Sequence, residues 1–527
     1  MSTKLILTNF SQLAGKYGGG FASIQAKVQK LIAADQARGL ATRFIGLDDA
    51  AAMQQLNAPP VTNVIDPKQN KRAIDAVYKE LVPDYIMILG AQDVVPHQDL
   101  SNPTFDPEHG EDADETADGD LPYACEAPYS QDPQDFIGAT RVVGRLPDLP
   151  NASDPAYLLG LLDTSITWKP GSIEDYSNYL GMSAEVWQES TALSLSNIFG
   201  TSGSLQLSPS EGPNWSNALV ASRSHFINCH GSPSDFQFYG QSPADDFPVA
   251  HTATDIDGKV SEGTVVAAEC CYGAQLFDPA PVGGKMGICS AYLKDKAYGF
   301  WGSTTIAYGP KKANAWADLI CQYFLKRVLA GSSLGRAALE ARQAYAQSGG
   351  NMDPFDLKTL AQFNLLGDPS IHPVSIPSAD VPVGEPHFKK ASSKKASAVS
   401  KGAVKTSERR RQLLSKGLWL AENIPVVRRA RARRSPALKR LLKDLAGQND
   451  IHHLKILSFD IEVSLKHPSK ALKTMLGKKA AAVDGIHVVF GRSGDDTSSD
   501  SKISRAVAVV AKEVAGEIVS YRVAFAK

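Results

Sequence analysis

Two stretches decide the fold of this sequence, Ser224-His-Phe-Ile-Asn-Cys-His-Gly231 and Gly263-Thr-Val-Val-Ala-Ala-Glu-Cys-Cys-Tyr-Gly273. In each, an apolar run typical of a buried β-strand ends abruptly in residues that can do chemistry. The first run ends in His230-Gly231, and the second continues into Cys270-Cys271. Because the carboxyl ends of neighbouring parallel strands meet at one edge of an open α/β sheet, we expect the histidine and a cysteine to lie together.

The surrounding sequence repeats this pattern. From the amino terminus to about residue 373, short apolar runs alternate with amphipathic segments, which indicates βαβ units and a mostly parallel sheet flanked by helices. Strands are expected at Lys4–Leu7, Ala41–Ile45, Tyr85–Leu89, Tyr179–Ser183, Ser224–Asn228, Thr264–Ala268 and Gly299–Ser303. Helices are expected at Phe21–Arg38, Lys71–Lys79, Ala313–Leu329 and Ser333–Gln347. The predicted fold class is therefore α/β.

The bulk properties are those of a globular protein. With 527 residues, 43% of them hydrophobic and 21% charged, the chain is long enough for two or three folded units and too apolar for wholesale disorder. The first ten residues contain an apolar run of only three, and no later run approaches a membrane span. Six cysteines without paired spacing give neither a disulfide framework nor a zinc pattern. We expect a cytoplasmic protein without a membrane span.

The carboxyl-terminal third differs in composition from the rest. Between Phe388 and Lys443, 18 lysines and arginines stand against two acidic residues. Residues 375–449 are therefore predicted to be a basic linker with helical pieces. Residues 450–527 are predicted to be a small β-rich domain, with strands expected at Leu454–Val463, Ile486–Phe490, Ala506–Val514 and Glu517–Ala526 and a turn at Ala515-Gly516.

The two motifs suit acyl-transfer chemistry. A thiolate can attack a carbonyl, an imidazole can move protons, and backbone N–H groups can hold the developing oxyanion. A glycine after the histidine lets a carbonyl approach closely, so the N–H groups of Gly231 and Cys271 are candidate oxyanion donors. The residues alone leave an alternative open, because a buried Cys-Cys pair at a strand end is often part of a core.

An apolar strand ending in His-Gly, followed some forty residues later by one ending in a cysteine, resembles the pattern of clan CD cysteine peptidases. Glu269-Cys270-Cys271-Tyr272-Gly273 lines up with the caspase pentapeptide Gln-Ala-Cys-Arg-Gly. The resemblance implies that Cys271 is the nucleophile, His230 the general base and Cys270 a buried small residue. Further segments resemble the gingipain family in order: 83–90, 137–147, 299–305 and 363–369.

The gingipain resemblance implies further site residues. Glu185, in Tyr179-Leu-Gly-Met-Ser-Ala-Glu185, matches the setting of a glutamate that assists the dyad, with a solvated surface residue as the alternative. Tyr308 is the nearest equivalent of an aromatic residue over the specificity pocket, although it could equally belong to the core. Glu189 would select an arginine or lysine substrate if it points inward. Asp245 and Asp246 are alternatives for that acidic role.

The resemblance also divides the chain at the start of the catalytic part. Residues 1–165 are predicted to be an amino-terminal α/β subdomain, and residues 166–374 a caspase-like catalytic subdomain. The implied function is a cysteine endopeptidase that cuts proteins or peptides after arginine or lysine. The strongest rival is a catalytically silent caspase-like scaffold that binds peptides or partner proteins. Redox or metal use of Cys229, Cys270 and Cys271 is a weaker alternative, because a second ligand pair is missing.

Two charged segments carry their own expectations. The acidic run Asp106–Asp120 is either a calcium site or a solvated loop, and no cofactor is expected for the chemistry itself. The basic linker is a spacer, an anion-binding segment or a self-processing site, with Lys389-Lys390, Arg409–Arg411 and Arg431–Arg434 as candidate cut positions. We do not expect nucleic acid to be a partner, because aromatic residues are nearly absent among the charged residues of the linker.

Overall fold

A computed structural model describes residues 2–105, 112–348, 352–375, 401–424, 426–430, 435–449, 451–462, 483–493, 506–514 and 517–527. The predicted turn at Ala515-Gly516 and the candidate cut positions Lys389-Lys390 and Arg431–Arg434 lie outside these residues. Within them, none of the helices combines the length and the apolar character that a membrane span needs.

The chain up to residue 375 contains thirteen strands and twelve helices among its described residues. The strands are β1 Ser2–Thr8, β2 Leu40–Gly46, β3 Tyr85–Leu89, β4 Val143–Leu146, β5 Tyr179–Ala184, β6 Leu205–Ser208, β7 Ser224–Asn228, β8 Gln237–Tyr239, β9 Val249–Thr252, β10 Val265–Ala268, β11 Gly299–Ser303, β12 Tyr308–Gly309 and β13 Phe363–Leu366. The helices are α1 Phe10–Tyr17, α2 Gly20–Ala37, α3 Ala50–Gln55, α4 Pro67–Leu81, α5 Ala156–Thr167, α6 Ile173–Ser177, α7 Gln188–Phe199, α8 Asn217–Val220, α9 Ile288–Lys294, α10 Trp316–Leu329, α11 Leu334–Ser348 and α12 Pro354–Gln362.

Ten of these strands form one sheet, in the order β2-β1-β3-β4-β13-β11-β10-β7-β5-β6. Strands β3, β7, β10 and β11 are buried along their whole length, as expected for strands that helices cover on both faces. Neighbours pair in parallel except at β11 and β13, which run antiparallel. The sheet therefore consists of two parallel halves of opposite direction. The predicted fold class, a mostly parallel α/β sheet flanked by helices, is confirmed.

Buried charges connect β1 to the segment that follows β13, within one half of the sheet. Lys4 of β1 is fully buried, and its Nζ lies 2.5 Å from Asp368 and 3.0 Å from Asp35. Asp368 follows β13, the strand that meets β11 of the other half. Because a buried ammonium needs carboxylate partners, these contacts fix the start of the chain against the segment that closes the sheet.

The described residues from 401 onward form two helices and most of a second, antiparallel sheet. These elements are helix α13 Lys401–Asn423, strand β14 Val426–Ala430, helix α14 Pro436–Asn449 and strands β15 Ile451–Glu462, β16 Val483–Ser493, β17 Ala506–Val514 and β18 Glu517–Ala526. The strand order is β12-β18-β17-β16-β15-β14, so this sheet includes β12 from the α/β part. The β-rich carboxyl-terminal region is as predicted, and β18 is its contact strand with the α/β part.

The described part of residues 375–449 contains helical pieces, as predicted, and helix α13 packs against the α/β part. Leu420 of α13 is fully buried, and Gln343 of α11 donates a hydrogen bond of 2.7 Å to the carbonyl oxygen of Leu413. Arg410 binds Asp84 at 3.1 Å. The packing of α13 could not be predicted from the basic composition, because the apolar residues of an amphipathic helix are few and widely spaced.

We predict that Leu420→Ala lowers the free energy of unfolding by about 2–5 kcal/mol, since the truncation leaves a cavity where α13 meets the core. Leu418→Ala is the matched control, because Leu418 lies on the same helix and is 42% exposed. Urea denaturation of both variants provides the measurement. Equal stability of the two variants would show that α13 does not pack as described.

Candidate active site

The pairing of two strands brings the histidine and cysteine motifs together. Strand β10 pairs in parallel with β7, with Ala268 opposite Ile227, so the residues that follow both strands emerge at the same sheet edge. Gly231 lies directly against Cys271. A Cβ atom at Gly231 would overlap the carbonyl oxygen of Cys271, so the contact admits only glycine at this position.

His230 is held by a chain of side-chain hydrogen bonds. Its Nε2 lies 2.9 Å from Oε1 of Gln241, and Nε2 of Gln241 donates to Asp245 at 2.7 Å. Because the carboxylate of Asp245 can only accept, the amide oxygen of Gln241 must face the imidazole. The proton of neutral His230 therefore sits on Nε2, which leaves Nδ1 as the basic nitrogen.

Aromatic rings enclose the imidazole of His230. The ring of Trp187 lies 4.4 Å away and that of Phe247 lies 5.2 Å away, measured between centroids. Burial lowers the pKa of His230 to about 4, because a charged imidazole loses its water there. The ring is thus neutral at physiological pH in this state of the site.

The thiols of the adjacent residues Cys271 and Cys270 are both buried, but they have different neighbours. The thiol of Cys271 accepts a hydrogen bond from the Ala307 N–H at 3.3 Å, whereas the thiol of Cys270 lies 3.9 Å from the Ile227 carbonyl oxygen in the core. Burial raises the pKa of Cys271 to about 12. In the described part of the chain, no direct hydrogen bond joins this thiol to His230, whose ring is bonded to Gln241.

The cleft beside Cys271 is filled by Lys527. Its carbonyl oxygen accepts a hydrogen bond of 2.7 Å from the Cys271 N–H, and its own N–H donates to the Ala307 carbonyl oxygen at 3.0 Å. The preceding residue, Ala526 of β18, pairs with Tyr308 of β12 in an antiparallel register. An extended segment thus lies along β12 with its carbonyl group at the cysteine.

A buried acidic pocket receives the side chain of Lys527. Its Nζ binds Asp318 at 2.9 Å and also binds Glu269, and all three side chains are fully buried. Gly309 lines the pocket, because a Cβ atom there would overlap the lysine side chain. The Trp187 ring lies 5.7 Å from Nζ.

The charges in this pocket depend on one another. Burial and the neighbouring Asp318 raise the pKa of Glu269 well above its usual value. The two carboxyl groups in turn raise the pKa of Lys527, so the ammonium stays charged. Two carboxyl groups in a dry pocket need a cation, and the ammonium of Lys527 supplies it here.

The structure places two sequence-derived candidates away from these contacts. Glu189 is 62% exposed and pairs with Lys312 at 3.3 Å on the surface, so it does not point into the pocket. Glu185 begins the short turn Glu185–Trp187, but the residue of this turn that touches His230 is Trp187. The hydrogen-bond partner of His230 is Gln241. The roles predicted for Glu185 and Glu189 stay predictions, and these contacts do not support them.

Tyr308 has a core side chain and a functional backbone. Its ring packs edge-on against Phe355, with 4.6 Å between centroids, and its hydroxyl group lies 3.2 Å from Asp112. The side chain therefore does not cover the pocket. Its main chain, however, belongs to the strand that Ala526 joins.

The described acidic residues of the 106–120 run bind protein groups. Asp112 pairs with Lys358 at 2.7 Å, and Asp114 accepts hydrogen bonds from Tyr272 and from the Ile306 N–H. Among the described residues, no cluster of three or more histidine, cysteine, aspartate or glutamate side chains could hold a metal ion. Residues 106–111 lie outside the description.

Sequence reasoning missed Gln241, Glu269 and Asp318. The local sequence could have pointed to Glu269, because a glutamate directly after an apolar strand and two residues before the candidate nucleophile is unexpected in a core. The local sequence around Gln241 and Asp318 gives no such indication. They reach the site from a loop after β8 and from the first turn of α10, and their positions depend on tertiary packing.

Comparison with known proteins bears on this site. Residues 223–374, which contain both motifs, match the model of peptidase family C25. Among curated proteins, none matches the chain significantly. A solved structure described as "Structure of Protease" is 12% identical, with 100% of this chain and 97% of that chain covered and a TM-score of 0.44.

A second solved structure is the Saccharomyces cerevisiae separase–securin complex. It is 12% identical, covers 44% of this chain and 14% of its own, and has a TM-score of 0.26. Structural similarities this weak carry no argument about function. The family match covers residues 223–374, the segment that holds both motifs, and this segment is similar to peptidase family C25, a family of cysteine peptidases.

Proposed function

We propose that this protein is a cysteine endopeptidase that hydrolyses the peptide bond after a lysine or arginine, with Cys271 as nucleophile and His230 as acid–base residue. One observation carries the proposal. The Lys527 carbonyl oxygen accepts a hydrogen bond from the Cys271 N–H while its ammonium binds Glu269 and Asp318. A peptide substrate needs the same two contacts, one at the reacting carbonyl and one at the selected side chain.

The first half of the reaction forms an acyl-enzyme. The Cys271 sulfur bonds to the carbonyl carbon as the thiol proton passes to Nδ1 of His230. The carbonyl oxygen becomes an oxyanion that the N–H of Cys271 binds, with the N–H of Gly231 as the second candidate donor. The C–N bond then breaks, and the leaving amine takes its proton from His230.

The second half uses water. A water molecule gives a proton to His230 and attacks the thioester carbon, the C–S bond breaks, and the sulfur of Cys271 regains its proton. Gln241 positions the imidazole for both halves, since its amide oxygen holds Nε2–H and directs Nδ1 away from Asp245. Glu185, the orienter that the gingipain resemblance implies, is replaced in this role by Gln241.

The contacts of the basic segment support self-processing there less well than the contacts of Lys527 support cleavage after a basic residue. The described candidate positions lie in helix α13, where Arg410 binds Asp84 and the backbone is helical. A peptidase needs an extended segment, so a packed helix is a poor substrate until it unfolds.

The nucleophile assignment is tested with peptides that carry a single lysine followed by a reporter amine. We predict slow release of the amine by the wild type and by Cys270→Ala, and at least a 1,000-fold lower rate for Cys271→Ala, because removing the nucleophile of a catalytic unit costs on the order of 10⁴–10⁶ in rate. Fluorescence of the released amine measures the rate.

Two outcomes would contradict the assignment. Activity lost in Cys270→Ala and kept in Cys271→Ala would mean that Cys270 is the nucleophile. Binding of the peptides without cleavage by any of the chains would favour the silent scaffold that the sequence left as its rival.

The specificity pocket is tested by a matched pair of substitutions. In a chain that ends at Ala524, so that Lys527 does not occupy the pocket, Glu269→Gln is predicted to lower kcat/KM for lysyl peptides by about 10- to 100-fold, because a buried charge partner is removed. Glu189→Gln is the control and is predicted to leave it within twofold, since Glu189 is exposed. Steady-state kinetics on lysyl and alanyl peptides provide the measurement. Melting curves check that both variants fold. A large loss in Glu189→Gln alone would restore the sequence-derived pocket.

A further inference from the structure

We propose that strand β18 and Lys527 act as an internal substrate mimic that closes the active site, so that the peptidase works only when this segment leaves the cleft. The proposal rests on the proposed function and concerns its regulation. The observation behind it is that three separate features of a bound peptide occur together in a segment of the chain itself.

The first feature is backbone pairing. Phe525 pairs with Gly309, and Ala526 pairs with Tyr308, so β18 adds a strand to the cleft-lining segment β12. Extended peptides bind many proteins in this way, through main-chain hydrogen bonds to an exposed strand edge. While β18 occupies that edge, a second peptide cannot pair with it.

The second and third features lie at Lys527. Its ammonium fills the Glu269–Asp318 pocket, and its carbonyl oxygen takes the hydrogen bond of the Cys271 N–H. The residue is completely buried. The segment therefore blocks the specificity pocket and the oxyanion position at once. Removing water from Cys271 also raises the pKa of its thiol to about 12, which keeps the nucleophile protonated.

Contacts farther along β18 hold the segment in place. Arg522 binds Asp353 and lies 3.2 Å from Asp356 at the start of α12, and its guanidinium stacks 4.6 Å from the Trp316 ring. Lys311 lies 4.5 Å from the Phe525 ring. On its other edge, β18 pairs with β17.

Because β18 is attached to the same chain, it can keep the active site closed even if its contacts with the site are individually weak. A tethered segment competes at an effective concentration on the order of millimolar, so a peptide in solution must exceed that concentration or bind more tightly. Release would be achieved by anything that pulls β18 from β12, including a partner that binds the antiparallel sheet.

The test measures how fast an N-acyl-lysyl acyloxymethyl ketone labels Cys271. The chains compared are the wild type, a chain ending at Ala524, Lys527→Ala, and Lys443→Ala as a control in which an exposed lysine of α14 is removed. Ending the chain at Ala524 clears the cleft and keeps the pairing of residues 517–524 with β17. We expect labelling at least tenfold faster in the first two variants, and an unchanged rate in Lys443→Ala.

Labelling of both cleft variants within twofold of the wild type would overturn the mimic. Absence of labelling at Cys271 in all the chains, each with a cooperative melting curve, would instead overturn the peptidase assignment, so the two failures are distinguishable. Cys271→Ala gives the background.

An added peptide provides a second, independent measurement. The N-acetylated tripeptide Phe525-Ala526-Lys527, added to the chain ending at Ala524, is expected to slow its labelling at least fivefold at 1 mM, a concentration on the order of the tethered one. The same peptide with glutamate in place of the lysine is expected to have no effect, because the pocket is acidic. Equal slowing by both peptides, or by neither, would also overturn the mimic.

Discussion

The parallel pairing of β7 with β10 is the constraint on which the site depends. It places the residues after both strands at one edge of the sheet, and it makes Gly231 and Cys271 touch. Each strand is short and completely buried, so its position is fixed by the core on both sides. The proposed nucleophile and acid–base residue follow these strand ends directly, so the fold itself holds them in place at little further cost.

A buried charge balance is the second organising feature. Glu269 follows the same strand as the nucleophile, and Asp318 lies in the first turn of α10, so the acidic pocket is built into the sheet and a covering helix. Two desolvated carboxyl groups are unstable without a cation. Lys527 supplies that cation within the chain. The same need for a cation that underlies the proposed selectivity for a basic side chain also anchors strand β18 to the pocket through Lys527.

The sequence predicted the fold and the motifs because both depend on local pattern. The apolar runs of the α/β part match observed strands, and His230 and Cys271 were apparent as reactive residues at strand ends. Contacts between distant segments were not predictable. The helix α13 hides its few apolar residues among lysines and arginines, and Gln241 reaches His230 only through a loop. Glu189 and Glu269 are both glutamates next to the motifs, and tertiary packing alone distinguishes the exposed one from the buried one.

The central claim is that the sulfur of Cys271 forms a covalent acyl intermediate with the main-chain carbonyl carbon of a lysine residue in the substrate. The most direct measurement is mass spectrometry of the chain ending at Ala524, quenched with acid during turnover of an acyl-lysyl ester, since thioesters survive at low pH. The account predicts a mass increase equal to the acyl-lysyl group, mapped to Cys271 by fragmentation of the peptide that contains both cysteines. An adduct on Cys270, or turnover without any adduct at Cys271, would contradict it.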